Sequence, residues 1–374
     1  MAKVFVALSG GVDSSVAALL LKRQGYDVTG VFMRCYNVDG CAERDAEDAR
    51  RVAEHIGIPF YVFDFEKEYK EKVVEYMVDG YRKGITPNPD VMCNKKIKFG
   101  LFLKKALELG ADYVATGHYV RLVTSNQRPG VRGKLKIKNQ KKTLVPNYCL
   151  LVARDLNKDQ SYFLWTLTQD QLKHCLFPIG DYLKSEVREI ARKAGLPTAE
   201  KKDSQGICFL GKVSLDDFLK NYIKPKKGPI VTTEGKKIGE HQGVYFYTIG
   251  QRHIGVAGRQ PVYIAEKDIK TNTLIIAEGE DNPVLHKKEI ELTNINFINP
   301  DLASLIRANG SKVWARVRYR QPLAEATLRK SEIRNPKSET YQLVFSEPIK
   351  FVAAGQSAVF YSKKSELIGG GIIL

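Results

Sequence analysis

The stretch Val4–Ser15 reads VFVALSGGVDSS, and the rest of the chain is arranged around it. Its apolar start, Val4 to Leu8, has the length and β-branched content of a buried strand. Two glycines follow, and a helical pattern then runs over Val16–Arg23. Glycines let a backbone approach a ligand closely, and the free N–H groups and dipole of a helix start attract negative charge. The stretch therefore predicts a strand, turn and helix that together bind an anion.

The spacing of this turn differs from two common phosphate-binding motifs, because it contains neither Gly-Lys-Ser/Thr nor GxGxxG. A simpler alternative is an ordinary glycine turn whose helix is capped by Ser14 or Asp13. SGGxDS at the end of a first strand resembles the pyrophosphate-binding loop (PP-loop) of the ATP-pyrophosphatase enzymes. That resemblance implies cleavage of ATP to AMP and pyrophosphate, coupled to adenylation of an oxygen.

Length and composition predict an ordinary soluble globular protein of two or three domains. The 374 residues exceed the usual size of a single domain, and 43% hydrophobic with 27% charged residues is typical of a globular protein. No apolar run approaches the roughly 20 residues of a membrane span. The sequence passes from Met-Ala-Lys directly into a strand, so we expect no targeting peptide, no membrane partner and a cytoplasmic location.

Charge and cysteine usage narrow the class further. Lys and Arg number 59 against 42 Asp and Glu, and the resulting net charge of +17 favours a nucleic-acid partner. The six cysteines include no C-x-x-C pair, and histidine is scarce. A disulfide scaffold and a structural zinc site are therefore not expected, and we predict no metal held by the protein itself.

Strands alternate with helices in the first half of the chain, which predicts an α/β fold with a parallel sheet. Ser9–Ser14, Met33 and Thr116–His118 then lie at one edge of that sheet, as in a nucleotide site. Beyond Pro225 short β runs dominate, and we expect them to be antiparallel. We predict a catalytic domain over 1–209, a small β-rich domain over 210–285 and a β-barrel over 286–374. The stretch 128–142 holds seven basic and no acidic residues and predicts an inserted hairpin or loop, either solvated or in contact with phosphates.

Two cysteines lie in unusual surroundings. Cys93 follows two prolines in TPNPDVMCNKKIKF, and Asn94 is a candidate N-cap for the next helix. A helix start and neighbouring lysines would favour the thiolate over the thiol. Cys208 lies in the polar loop DSQGICF, just before the composition changes. Either residue alone could also be a small buried apolar side chain, so the signal comes from the two together.

Six motifs, in order along the chain, are similar to those of the tRNA-specific 2-thiouridylase family. They are SGGVDSS, NPDxxCNxxIKF, ATGHYVR, NKDQSYFL, DSQGICF and GQSAVFY. The similarity covers essentially the whole chain, and the basic stretch around 124–147 departs from it as an insertion. The family replaces the C2 oxygen of the wobble uridine of certain tRNAs with sulfur. It combines a PP-loop domain with a small β-rich domain and a C-terminal β-barrel.

The resemblance implies how ATP and sulfur are handled. Met33 and Gly117 lie on the adenosine side of ATP, and Mg²⁺ neutralises the phosphates. The phosphates are expected to bind the loop residues Ala7, Leu8, Ser9, Gly10, Gly11, Val12, Asp13 and Ser14. Cys208 carries a persulfide from a sulfur-relay or cysteine-desulfurase-type donor, and Cys93 is the nucleophile. Asp90 is the expected general acid or base.

The resemblance also implies residues that contact the RNA. The target base is expected to meet Asn88, Pro89 and Asp90, and His118 is expected to contact ATP or substrate. Elsewhere the implied tRNA contacts are Lys158, Asp159, Gln160, Arg318, Tyr319 and Gln356. The protein is expected to act as a monomer. Two routes of sulfur transfer stay open, one by direct persulfide attack that leaves a Cys93–Cys208 disulfide and one through released sulfide.

Two other functions account for part of the sequence. A PP-loop ligase or synthetase acting on a small metabolite would explain SGGVDSS, but not the paired cysteines, the net charge or the β-rich second half. An RNA-binding protein with a vestigial nucleotide fold would explain the charge, but not the intact loop with Asp13. ATP–pyrophosphate turnover that ignores tRNA would favour the first of these alternatives.

Overall fold

A computed structural model describes residues 1–36, 38, 40, 42–124, 147–203, 209–211, 213–301, 306, 310–331 and 339–374. Cys208 and the basic stretch 128–142 lie outside these residues. The described residues before 204 contain seven strands. They are β1 (Lys3–Ala7), β2 (Asp27–Arg34), β3 (Phe60–Asp64), β4 (Tyr113–Ala115), β5 (Val120–Thr124), β6 (Tyr148–Val152) and β7 (Cys175–Leu176).

Five of these strands form one parallel sheet in the order β3-β2-β1-β4-β7, which confirms the predicted α/β class. Strand β1 lies at the centre, and both of its faces are buried. Val4 and Val6 pack into one apolar cluster, and Phe5 and Ala7 pack into another on the opposite face. A strand that is apolar at every position is what a sheet covered on both sides requires. Strands β5 and β6 form a separate antiparallel pair.

Helices cover both faces of the sheet. Some of the described helices are purely α-helical. They are Val12–Arg23, Ala42–Ile56, Gln169–Leu172, Lys184–Lys193 and Leu215–Lys220, and a 3₁₀ turn lies at Ser161–Leu164. Two longer helices each contain a π-helical stretch. One runs through Glu66–Tyr69, Lys70–Val74 and Glu75–Arg82, and the other through Pro89–Cys93, Asn94–Phe102 and Leu103–Glu108. We call the second of these the Cys93 helix. Within the described ranges no helix is long and apolar enough to cross a membrane.

The start of the Cys93 helix corrects one prediction. Asn94 is inside the helix, and the N-cap is Asn88, whose side chain accepts a hydrogen bond from the Val91 N–H at 3.2 Å. Pro89 follows as the first helical residue, where its missing N–H costs no intrahelical bond and its fixed φ suits the helix. Cys93 is therefore one turn inside the helix and not at its first residue.

The second half of the chain is β-rich, as predicted. Strands β8 (Gly228–Thr232), β9 (Lys237–His241), β10 (Val262–Asp268) and β11 (Thr273–Glu278) form a sheet in the order β10-β11-β8-β9. Strands β8 and β11 pair in parallel, so the expectation of purely antiparallel pairing was wrong at this one ladder. Short 3₁₀ helices occupy Val244–Phe246 and Pro283–Leu285.

A closed six-stranded barrel follows, which confirms the predicted C-terminal barrel. Its strands are β12 (His286–Phe297), β13 (Ser311–Arg316), β14 (Ala324–Lys330), β15 (Tyr341–Lys350), β16 (Ser357–Tyr361) and β17 (Leu367–Ile373). Their order is β12-β15-β14-β13-β16-β17. The central sheet and the barrel fall inside the ranges 210–285 and 286–374, although the domain limits themselves stay predictions.

Candidate active site

A cavity of about 340 Å³ opens at the carboxyl ends of β1, β2 and β4. Many of the residues predicted from the sequence share its wall. They are Ala7, Leu8, Ser9, Asp13, Ser14, Met33, Cys93, Gly117, His118 and Gln160. The sheet topology explains the convergence, because right-handed crossovers place the loops after parallel strands along one edge.

The glycine loop, which we define as Ser9–Ser14, has the geometry of an anion site. The helix begins at Val12 with Gly11 as N-cap, and no side chain caps it. The Ser14 hydroxyl instead closes the turn, donating to the Gly11 carbonyl and accepting from the Ser9 N–H, both at 3.1 Å. The first N–H groups of a helix have no intrahelical acceptor, so those of this loop are available to a ligand. The alternative of a side-chain-capped turn does not hold.

Two glycines are required by close approach of other backbone atoms. Gly10 has φ +70°, and a Cβ there would lie 2.4 Å from the Asp45 carbonyl oxygen. A Cβ on Gly117 would lie 2.6 Å from the Ser14 nitrogen and 2.8 Å from the Asp13 carbonyl carbon. The end of β4 is thus packed directly on the glycine loop, and any side chain at Gly117 would displace it.

Asp13 is held by residues that the sequence did not single out. The Lys184 ammonium donates to both of its carboxylate oxygens, at 2.7 and 2.8 Å, and the Tyr119 hydroxyl donates at 2.9 Å. Lys184 also lies 2.9 Å from Asp203, the last described residue before 209. Burial opposes ionisation of Asp203, but hydrogen bonds from Lys158 and Lys184 lower its pKa to about 2. A chain of charges therefore links the loop to the segment that leads toward Cys208.

Cys93 lies at the cavity wall and is buried, with 7% of its surface exposed. Lys98, one turn further along the same helix, lines the cavity too. Asp90 is half-buried, and burial raises its pKa while the charge of Lys98 partly counteracts that rise. An acid with a raised pKa keeps its proton closer to neutral pH than an ordinary aspartate does.

His118 is buried and lines the same cavity as the glycine loop. Its Nδ1 lies 2.8 Å from the Thr116 hydroxyl, and its ring packs against Phe99 and Phe177. Burial and the charge of Lys98 lower its pKa well below 6.5. His118 therefore offers the cavity a neutral imidazole.

The three predicted residues Lys158, Asp159 and Gln160 each contact a different part of the molecule. Lys158 pairs with Asp203 at 2.7 Å, and Gln160 accepts a hydrogen bond from the Tyr119 N–H while lining the cavity. Asp159 is 3% exposed and forms an ion pair with the buried Arg316 of the barrel. Asp159 thus joins the first domain to the barrel, and its predicted contact with tRNA stays a prediction.

The predicted residues of the barrel also lie at contacts between domains. Arg318 donates to the Ile249 carbonyl of the central domain, and Tyr319 packs on Phe163 with ring centroids 4.5 Å apart. The Arg318 Nε is buried without a hydrogen-bond partner among the described residues, and burial lowers the pKa of the guanidinium. Gln356 donates to backbone carbonyls of Thr86 and Pro87.

Sequence reasoning missed several residues that shape the cavity. Lys184 and Tyr119 hold Asp13, Asp203 pairs with Lys184, and Phe209 lines the cavity and packs on Tyr69 with ring centroids 5.7 Å apart. Tyr119 is part of the quoted motif ATGHYVR, and Asp203 and Phe209 are part of DSQGICF, so position in a motif could have suggested them. Lys184 lies in a helix whose amphipathic pattern is ordinary, and the sequence carries no local signal for its role.

Comparison with known proteins agrees with this architecture. Family models match residues 2–212 (tRNA methyl transferase HUP domain), 216–278 (tRNA methyl transferase PRC-barrel domain) and 287–373 (Aminomethyltransferase beta-barrel domain). The tRNA-specific 2-thiouridylase MnmA of Bacillus licheniformis is 46% identical over 378 residues, which cover 99% of this chain and 94% of the relative.

Two further relatives bear the same description. The protein of Bacillus subtilis is 44% identical with the same coverage of 99% and 94%. That of Christiangramia forsetii is 41% identical over 417 residues and covers both chains completely, at 100%. The chain therefore belongs to the tRNA-specific 2-thiouridylase family.

Proposed function

We propose that this protein is a tRNA-uridine 2-sulfurtransferase that uses ATP to exchange the C2 oxygen of the wobble uridine for sulfur. One observation carries the proposal. The glycine loop and Cys93 line the same cavity of about 340 Å³. An anion loop alone indicates a nucleotide, and a cysteine alone indicates little. A loop and a candidate nucleophile in one cavity fit a two-step reaction. ATP bound at the loop activates the uridine oxygen, and Cys93 takes part in replacing that oxygen with sulfur.

The first step makes the uridine oxygen a good leaving group. A uracil carbonyl oxygen attacks the α-phosphate of ATP, an O–P bond forms, and pyrophosphate leaves. The loop N–H groups and the Val12–Arg23 helix dipole would hold the departing phosphates. Mg²⁺ would be held mainly by phosphate oxygens and water, since Asp13 is the one carboxylate in the glycine loop.

The second step delivers sulfur. In one route the terminal persulfide sulfur on Cys208 attacks C2, the C2–O bond breaks and AMP leaves. The Cys93 thiolate then attacks the Cys208 Sγ, and the bond between that Sγ and the transferred sulfur breaks. This leaves the sulfur on C2 and forms a Cys93–Cys208 disulfide, which an external thiol must reduce. In the other route Cys93 attacks first and releases sulfide, which then attacks C2. Both routes need a persulfide donor protein and a reducing compartment, for which we propose the cytoplasm.

Asp90 is the proposed proton-transfer group. It lies three residues before Cys93 on the same helix, where i and i+3 side chains share a face. Its raised pKa brings protonation closer to neutral pH, where a general acid is effective. His118, being neutral, would serve as a hydrogen-bonding group beside the nucleotide or the base.

The partner of this site is proposed to be the anticodon loop of a tRNA. The net charge of +17 attracts a polyanion, and a base in a stacked loop must be turned outward to reach a buried cavity. The buried Nε of Arg318 has no hydrogen-bond partner in the described part of the chain, and we propose this guanidinium as one contact to an RNA phosphate. We propose that one monomer is sufficient for the reaction.

The test is a reconstitution with purified protein, ATP, a persulfide donor and unmodified tRNA. We expect 2-thiouridine and AMP in equal amounts, with no product when ATP or the donor is omitted. Because the matching family models are described as methyl transferases, a parallel reaction should contain a methyl donor in place of ATP and persulfide. Methylated tRNA in that reaction, or AMP formation that ignores tRNA, would contradict the proposal.

A further inference from the structure

We propose that Lys98 is a further catalytic residue of this site, and that its ammonium group binds the α-phosphate of ATP and of the AMP that leaves. Lys98 lies on the Cys93 helix, five residues after the candidate nucleophile. The inference rests on the proposed function for its part in catalysis. Its binding part concerns nucleotides alone and can be tested without RNA.

The π-helical stretch of the Cys93 helix explains why Lys98 lines the cavity together with Cys93 and Ile97. In an α-helix, residues five apart point about 140° away from each other, because each turn takes 3.6 residues. The stretch Asn94–Phe102 is π-helical, and the Leu103 N–H that follows it donates to the Lys98 carbonyl, five residues earlier. A π-helix brings residues i and i+5 to the same side, and such stretches are frequent at functional sites.

The charges around the cavity favour an anion beside Lys98. Among the described residues that line the cavity, Lys98 is the one lysine or arginine. The two carboxylates of that lining already have lysine partners outside it, because Asp13 pairs with Lys184 at 2.7 Å and Asp45 pairs with Lys201 at 2.8 Å. Lys98 is half-buried, and an anion that enters the cavity would compensate its charge.

The neighbours of Lys98 place it near the adenosine side of the cavity. Burial raises the pKa of Asp90 and lowers that of His118, and in both cases the charge of Lys98 is the next cause, so Lys98 is close to both groups. The His118 ring packs on Phe99 with centroids 5.9 Å apart, and His118 follows Gly117. The α-phosphate joins the adenosine to the phosphates held by the glycine loop, so it is the phosphate that we assign to Lys98.

Both proposed steps need a cation at the α-phosphate. When the uridine oxygen attacks the α-phosphorus, an O–P bond forms, the bond to pyrophosphate breaks, and negative charge gathers on the non-bridging oxygens. When sulfur displaces the activated oxygen, the C2–O bond breaks and AMP leaves with that electron pair. An ammonium group that donates to a non-bridging oxygen stabilises the transition states of both steps.

A different role for Lys98 would be to act through Asp90, by favouring its ionised form. The two roles differ in what they require of a nucleotide. A lysine that acts only on Asp90 has no effect on how tightly AMP binds. A lysine that donates to the α-phosphate strengthens the binding of AMP but not that of adenosine, which has no phosphate.

The first experiment is a binding titration with adenosine, AMP and inorganic pyrophosphate. In Lys98→Met we expect AMP to bind about ten- to hundredfold more weakly, the loss of one hydrogen bond between charged groups, while the other two affinities change less than about twofold. Lys98→Arg should keep most of the AMP affinity, because a guanidinium also binds phosphate. The matched control is Lys96→Met, an exposed lysine of the same π-helical stretch outside the cavity lining.

Three binding results would overturn the inference. Unchanged AMP affinity in Lys98→Met would leave only a role through Asp90. An equal loss for all three probes would show that the substitution damages the cavity as a whole. AMP that binds wild-type protein no more tightly than adenosine would show that the α-phosphate has no charged partner in the cavity.

The second experiment measures kcat and KM for tRNA in the complete reaction with ATP and a persulfide donor. Lys98→Met should lower kcat about 10²-fold or more, while KM for tRNA changes less than about twofold. A normal kcat would overturn the catalytic part of the inference. If wild-type protein makes no 2-thiouridine, the proposed function fails, and the comparison of AMP with adenosine alone decides whether Lys98 binds the α-phosphate.

Discussion

The glycine loop and the contact between the first domain and the barrel are built in opposite ways. The bonds that close the glycine turn itself join close neighbours, as between Ser9 and Ser14, five residues apart. Contact bonds join distant ones: Asp159 and Arg316 are 157 residues apart, and Gln356 and Thr86 are 270 apart. The geometry of a local motif can therefore be predicted from the residues of the motif. The role of a residue such as Gln356 cannot, because its bonding partners lie far away in the sequence.

The largest effect should come from the shared cavity itself. Cys93→Ser should lower 2-thiouridine formation by about 10³-fold or more, because a hydroxyl at neutral pH attacks a sulfur atom far more slowly than a thiolate does. ATP binding should change little, since the glycine loop is intact. The measurement is product by mass spectrometry beside a nucleotide-binding titration. Full activity in this variant would separate the cysteine from the chemistry and remove the main argument for the reaction.

A variant at the contact between the first domain and the barrel should lower the free energy of unfolding. Asp159→Asn leaves the buried Arg316 charge without its counter-ion, and breaking such a pair costs about 3–5 kcal/mol of unfolding free energy. Asp170→Asn is the control, because Asp170 is 91% exposed in its pair with Lys173 and an exposed pair contributes about 0–1 kcal/mol. Denaturant unfolding measures both variants. Unchanged stability with a raised KM for tRNA would instead make Asp159 an RNA contact.

The loop should respond in nucleotide affinity. Gly117→Ala forces a Cβ to within 2.6 Å of Ser14 nitrogen, and such overpacking costs about 1–3 kcal/mol. If the strain displaces the loop, ATP should bind about ten- to hundredfold more weakly. Gly239→Ala is the matched control, since its Cβ would meet the Val256 Cγ1 at 2.7 Å in the central domain, away from the residues that line the cavity. Equal affinity in wild type and Gly117→Ala would show that β4 does not fix the loop.

The two regions also differ in how well the sequence predicts them. The strand Lys3–Ala7, the glycine turn and the following helix were predictable because apolar runs, glycines and helix starts are local signals. The N-cap at Asn88 was missed, although Pro89 beside it was a readable helix-start signal. Lys184 could not be found, because its importance comes from Asp13 and Asp203, which the fold alone brings to it.

The smallest predicted effect is on the pH dependence of the free energy of unfolding, and it tests whether His118 is shielded from solvent. Its pKa in the folded protein lies well below 6.5, whereas the unfolded chain has a value near 6.5. Between these values the unfolded state binds a proton that the folded state does not. Stability is therefore fully present above pH 6.5 and falls as the pH drops below it, by at most about 1.4 kcal/mol per pH unit.

His118→Gln should flatten this part of the stability curve, while His253→Gln, at an exposed position, should leave it as in wild type. The measurement is denaturant unfolding at a series of pH values from 7.5 to about 5, comparing slopes so that all other titrating groups cancel. A slope that His118→Gln does not change would mean that the imidazole stays accessible to protons in the folded state. The cleft would then be open beside the loop, and His118 could exchange protons with a bound substrate, which a buried neutral ring cannot do.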